Sequence, residues 1–198
     1  MAKDFHFFSV PVRSALRNFS LASILLACLL GSIFKAEARE VTPFNNGWEF
    51  KKGPFPTDAM QTAARWNADW EQVNVPHTWN ADDMQKKTNN FYAGVAYYRK
   101  HYVFPESLEG KRLFLRFEGV GACAEVYVNG YLVGTHKGAY SAFVCEIGSQ
   151  VRLGEENEIV VKSDNVARPD VIPVNHALFG VYGGIYRPVW LIVTEPCN

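Results

Sequence analysis

Residues 124–147 read Ala-Glu-Val-Tyr-Val-Asn-Gly-Tyr-Leu-Val-Gly-Thr-His-Lys-Gly-Ala-Tyr-Ser-Ala-Phe-Val-Cys-Glu-Ile. Ala124, Val126 and Val128 alternate with Glu125 and Tyr127, the period of two that a half-buried strand requires. Asn129-Gly130 follows, two residues that accept the positive φ angles of a type I′ turn. Tyr131, Leu132 and Val133 begin a return strand, and Gly134 can relax the backbone at a bulge or sheet corner. A hairpin followed by a further strand makes this an antiparallel β-protein.

Outward from the hairpin, short strands are punctuated by turn residues. The pattern predicts strands over Trp48–Lys51, Gln72–Val75, Val95–Phe104, Arg112–Phe117, Ala124–Val128, Tyr131–His136, Ala142–Ile147, Glu158–Ser163 and Ile185–Val193. In Arg112–Phe117, Leu113, Leu115 and Phe117 share one face and Arg112 and Arg116 the other. Gly110-Lys111 and Gly154–Asn157 are turn segments. A short helix is allowed at Asp58–Ala64, with Asp58 as its cap. So many short strands with almost no helical period predict an all-β, jelly-roll β-sandwich. Two long segments, Thr78–Gly94 and Asn165–Gly184, do not read as strands, and long loops of this kind carry binding surfaces.

The first 38 residues read differently. Lys3, Arg13 and Arg17 precede an apolar run from Phe19 to Phe34, and Ala36-Glu37-Ala38 offers a cleavage site. This predicts a cleavable signal peptide over 1–38, a domain over 39–198, and a periplasmic or extracellular destination. The run is shorter than the roughly 20 residues of a membrane span, so no membrane association is expected after cleavage. Retention as an anchor is the lesser reading. Leu25-Leu26-Ala27-Cys28 loosely resembles a lipoprotein box ending on Cys28, which the apolar run beyond it argues against.

A net charge of zero without a basic cluster excludes nucleic acid as an expected partner. The 28 aromatic residues (14 Phe, 9 Tyr and 5 Trp) suit either sugar stacking or a large sandwich core, and core is expected for most rings. Cys123, Cys145 and Cys197 remain beyond the leader, and a Cys123–Cys145 bridge is left open by the sequence. No C-x-x-C pair or helical His pair suggests a metal, and His77, His101, His136 and His176 are widely spaced. No cofactor is expected.

Five pieces in order along the chain resemble the N-terminal sugar-binding domain of family 2 glycoside hydrolases, the family of β-galactosidases and β-glucuronidases, a galactose-binding-domain-like fold. They are Val73-Asn74-Val75-Pro76-His77-Thr78-Trp79, Tyr92-Ala93-Gly94-Val95-Ala96-Tyr97-Tyr98-Arg99-Lys100, and Val126–Gly130 with Val133-Gly134 and Gly138–Phe143. Asp164-Asn165 and Tyr182-Gly183-Gly184-Ile185-Tyr186-Arg187 complete them. Most of these residues have a structural explanation first: Gly183-Gly184 permits backbone geometry that a β-carbon forbids, and Tyr98 and Arg99 pack and pair within the sandwich.

The resemblance implies retaining hydrolysis by two glutamates about 5 Å apart, held on a (β/α)₈ barrel outside this sequence. Glu118, Glu125 and Glu146 sit in strand contexts, and nothing marks any pair of them as catalytic. The resemblance therefore implies a non-catalytic domain of an exported β-galactosidase-like glycosidase, inactive alone. The domain would be a fragment or split-enzyme half that shares a β-galactoside or related carbohydrate with a barrel on the missing part or on a separate chain. Loops of this family's domain reach the barrel's substrate. A family Asp contact falls on Leu178, leaving Asn175 and His176 as replacement sugar contacts, and a family Asn contact maps near Asn89-Asn90. Pro188 replaces another family Asp. Exposed Phe91, Val171, Ile172, Leu178 and Phe179 would form the face toward the barrel. The competing readings are a free-standing carbohydrate-binding module with Trp66, Trp70 and Trp79 as a stacking platform, and a structural or interaction domain without sugar affinity.

Overall fold

The computed structural model describes residues 39–53, 69–83, 91–172 and 180–196. Ten antiparallel strands form two sheets: β1 (Arg39–Pro43), β2 (Trp48–Lys52), β3 (Glu71–Val73), β4 (Val95–Val103), β5 (Arg112–Phe117), β6 (Cys123–Val128), β7 (Tyr131–Lys137), β8 (Phe143–Glu146), β9 (Glu156–Asp164) and β10 (Val189–Thr194). One sheet has the order β1-β10-β5-β8 and the other β3-β2-β4-β9-β6-β7. Short 3-10 turns at Glu106–Leu108 and Gly148–Gln150 are the described helical pieces. The predicted helix at Asp58–Ala64 lies outside the described residues, as does the predicted leader.

The sheets face each other across one apolar core, because each strand's alternation places its branched and aromatic side chains on the same side. On β5, Leu113, Leu115 and Phe117 are buried while Arg112 and Arg116 point outward, as their spacing predicts. On β6, Ala124, Val126 and Val128 are buried between outward Cys123, Glu125 and Tyr127. Trp48, Tyr98, Phe104, Phe117 and Ile159 fill the centre. Tyr92, Tyr102 and Phe143 are partly buried against this core.

The hairpin turns at Asn129 (φ 51) and Gly130 (φ 83), the signs that a type I′ turn needs. Val126 pairs with Gly134 and Tyr127 with Leu132, so Val133 is the extra residue of a bulge beside Gly134. The Asn129 side chain does more than turn the chain. Its Nδ2 donates to the Gln150 carbonyl and to Asn157 Oδ1, each at 2.8 Å, and its Oδ1 accepts from the Glu158 N–H at 3.0 Å.

Two expectations are corrected. β1 is absent from the sequence reading: its five residues are all exposed, so no buried face produces an alternation, and it exists by pairing with β10 at the sheet edge. The last strand starts at Val189 and not at Ile185. Pro188 lacks an N–H, and Ile185 belongs instead to a segment that makes an isolated bridge between Gly121 and Gly184. Cys123 and Cys145 are unbonded, lying on β6 and β8 in opposite sheets.

Candidate functional site

At one sandwich end, the segments after β3, before β4, after β9 and before β10 converge on two side-chain amides. Asn80 and Asn165 are both fully buried, and a buried amide is tolerated only when its donors and acceptors are used. Asn80 Nδ2 donates to Asp83 Oδ2 (2.7 Å) and to the Tyr92 carbonyl (3.0 Å). Asn80 Oδ1 accepts from the Gly183 N–H (2.8 Å) and from Asn165 Nδ2 (3.2 Å). Asn165 Nδ2 also donates to the Val181 carbonyl (2.8 Å), and its Oδ1 accepts from the Gly94 N–H (2.8 Å). The pair thus joins the described parts of the Thr78–Gly94 and Asn165–Gly184 loops.

Glycine lets these layers close. A β-carbon on Gly183 would lie 1.8 Å from the Trp79 ring. Gly184 has φ +108, and a β-carbon there would meet Tyr98 Oη at 2.3 Å. Trp79 Nε1 donates to the Tyr92 carbonyl at 3.2 Å, and its ring stacks on Phe50 with centroids 6.0 Å apart. Tyr98 Oη lies 2.8 Å from His77 Nδ1, and the His77 N–H donates to the Ile185 carbonyl. Burial, reinforced by the Lys52 charge and opposed by Glu71, holds His77 below its usual pKa, so its ring is neutral near pH 7.

Beside this scaffold lies a groove of about 320 Å³ whose wall includes Lys52, Glu71, His77, Thr78, Asp82 and Asp83. It offers carboxylate acceptors and an ammonium donor to a hydroxyl-rich ligand. Among the described residues no group of three His, Cys, Asp or Glu side chains is placed to hold a metal. Beyond the scaffold, the 165–172 segment is strapped to the sheet. Arg168 pairs with Asp164, and Lys137 Nζ lies 2.6 Å from Asp170.

The predicted sugar contacts Asn89, Asn90, Asn175 and His176 lie outside the described residues, as do Leu178 and Phe179 of the predicted interface. Of the remaining interface residues, Ile172 is 76 % exposed and Phe91 is half-buried. Val171 is a correction. It is buried with Ala122, Ala139 and Val181, because the strap folds its apolar residue inward. Val166 and Tyr182 are exposed on the same loops and were missed. The proposed stacking platform is also corrected: Trp79 is buried in the core, Trp70 stacks on the Arg99 guanidinium at 4.4 Å, and Trp66 is outside the described residues. Glu118, Glu125 and Glu146 are each held by a cation, Arg116, Lys162 and Arg112 respectively.

The family profile described as "Glycosyl hydrolases family 2, sugar binding domain" matches residues 42–196. A β-glucuronidase of Bacteroides fragilis is 37% identical over 174 residues, covering 87% of this chain and 23% of the relative. A β-galactosidase of Thermoanaerobacter pseudethanolicus is 36% identical over 158 residues, covering 77% of this chain and 21% of the relative. The crystal structure of a candidate β-galactosidase from Bacteroides fragilis superposes with a TM-score of 0.73 at 72% identity, covering 80% of this chain and 24% of that one. The chain thus spans less than a quarter of the length of these relatives. A β-sandwich whose Pro-His-x-Trp, Asp-Asn and Tyr-Gly-Gly segments lock around one pair of asparagines, matched along nearly all its described length, belongs to the sugar-binding domain of glycosyl hydrolase family 2.

Proposed function

We propose that this domain serves an exported β-galactosidase-like glycosidase as its non-catalytic, substrate-side part. A catalytic barrel, on the remainder of that protein or on a separate chain, would supply both glutamates. The observation that carries this reading is the Asn80–Asn165 scaffold, which holds the two longest loops at one end of the sandwich and presents Ile172 outward. Loops fixed in this way can meet a second domain and contribute polar contacts to a sugar bound there. Asn89, Asn90, Asn175 and His176 are the side chains we assign to those contacts, and Phe91, Ile172, Leu178 and Phe179 to the apolar face. The substrate would be a β-galactoside or a related glycoside. Residues 1–38 would direct export, and the sandwich would have jelly-roll connectivity.

Complementation tests the reading. The purified chain is mixed with a barrel-bearing family 2 chain deleted for its own sugar-binding domain, and release of nitrophenol from nitrophenyl β-galactoside is followed. Neither chain alone should hydrolyse the substrate, and the mixture should. In the active mixture, Asn175→Ala or Asn89→Ala should lower kcat/KM by about ten-fold, the worth of one lost hydrogen bond to substrate. A mixture as inactive as its parts, with both chains folded, would remove the proposal.

A further inference from the structure

Lys100 lies on β4 with only 8 % of its surface exposed. Its ammonium donates to the backbone carbonyl of Asn46. The ring centres of Phe44, Tyr102 and Trp48 lie 4.7, 5.8 and 5.9 Å away. Among the described residues no carboxylate oxygen comes within the 4.0 Å of an ion pair. Buried charges in proteins are ordinarily paired, because an ion removed from water keeps its desolvation cost unless a counter-charge offsets it. One carbonyl dipole and three ring faces offset part of that cost but carry no net negative charge. Burial accordingly pulls the Lys100 amine below its usual pKa.

Lys100 is not sealed in. It forms part of the wall of a groove of about 250 Å³, together with Phe44, Asn45, Asn46, Tyr102 and Leu191. Asn45, whose Oδ1 accepts from the Val189 N–H at 2.8 Å, also lines that wall. Asn46 is exposed at the groove. The other charged group of the wall is Glu40, on the exposed edge strand β1. It lies outside ion-pair distance of Lys100 and opposes any anion that enters.

We propose that this groove is an anion site that takes a small organic monocarboxylate, with Lys100 as the charge partner of its carboxylate. The charge count fits one negative charge: a single ammonium meets it, and Glu40 on the rim disfavours a more highly charged anion. The shape fits an organic acid better than a halide. The asparagine amides can serve the second carboxylate oxygen, and the Phe44 and Tyr102 rings can line the carbon frame. The site is distinct from the loop end and independent of what that end binds.

Calorimetric titration of the full chain at constant ionic strength tests this, with sodium acetate, sodium glucuronate and galactose as probes. We expect saturable binding of both carboxylates, with galactose as the uncharged control. Lys100→Met keeps the length and apolar stem of the side chain and should weaken carboxylate binding at least about ten-fold, the worth of a charge-assisted hydrogen bond. Glu40→Gln, at an exposed position, should strengthen it by about two- to three-fold. Tighter binding of glucuronate than of acetate would add the rings to the site, and equal binding would confine it to the carboxylate. Absence of saturable carboxylate binding, or a folded Lys100→Met variant that binds as wild type does, would overturn the proposal. If Lys100→Met fails to fold, Glu40→Gln decides: a rise in affinity supports the site and an unchanged affinity overturns it.

Discussion

Asn165 shows how one side chain can set the architecture of a loop cluster. Its amide serves three carbonyl or amide acceptors and one N–H donor, drawn from Asn80, Tyr92, Gly94 and Val181. Removing it leaves the buried Val181 carbonyl and the half-buried Gly94 N–H without that partner. A buried orphan costs about 1–3 kcal/mol and a half-buried one less, so Asn165→Ala should destabilise the domain by roughly 1–4 kcal/mol in urea unfolding. A loss under about 1 kcal/mol would mean that water or neighbouring groups replace the amide. His77 gives a second residue-scale expectation. Its folded pKa lies below 6.5, so the unfolded chain binds more protons as pH falls through 6.5. Stability from this group is full above that value and declines as pH drops toward the lowered folded pKa. Glu158 works in the opposite sense: burial raises its pKa, so the stability it contributes is present below 4.5 and lost as pH rises through its folded value. The informative quantity is therefore the difference between wild type and His77→Gln in denaturant melts from pH 7 to 5. The wild type should lose more stability than the variant over that interval, and parallel curves would show that His77 titrates normally.

Among the elements, the β6–β7 hairpin was legible because everything that defines it is local. Alternation gives the faces, and Asn-Gly gives the turn. Each strand end fell within a residue of its expected place. What local pattern does not show is that Asn129 also holds the connection before β9, through Gln150, and the start of β9 itself, through Asn157 and Glu158. Asn129→Gly keeps the positive φ and loses only the side-chain bonds, whereas Asn129→Ala loses both. We expect the alanine variant to unfold at lower urea than the glycine variant, which in turn falls below wild type by about 1–3 kcal/mol. Equal midpoints for glycine and wild type would assign Asn129 to the turn alone. Elements defined by partners far along the chain were less legible. β1 has no buried face of its own, and the bridge at Gly184 takes Ile185 out of the strand it seemed to begin. The scaffold asparagines were hidden for the same reason: Asn80 and Asn165 are 85 positions apart, and an isolated Asn in a loop reads as solvated until its partners are known. Burial of Trp79 against Gly183 is likewise a contact between distant segments, which no local pattern around Trp79 shows.

The whole molecule distributes its stability unevenly between edges and centre. β4 and β9 pair over nine residues, and β9 pairs again with β6, so Ile159, Val160 and Val161 lie in a ladder covered on both sides. β1 is exposed along its length and is held at the edge of the other sheet by β10 alone. β3, at the far edge of the six-stranded sheet, is three residues long. Edge strands open without breaking the core, whereas the central ladder opens only when both flanking strands are lost. Native-state hydrogen exchange should therefore rank the backbone. Amides of Ile159–Val161 should exchange only through global unfolding, with the full dependence on urea. Those of Val41 and Gln72 should exchange by local opening, with little dependence on urea. Asn165→Ala separates a loop lock from a core element, since it should lower protection at Gly94 first and reach Val161 only by the loss in global stability. Uniform protection across β1, β3 and β9 would contradict this ranking and mean that edges and centre unfold as one unit.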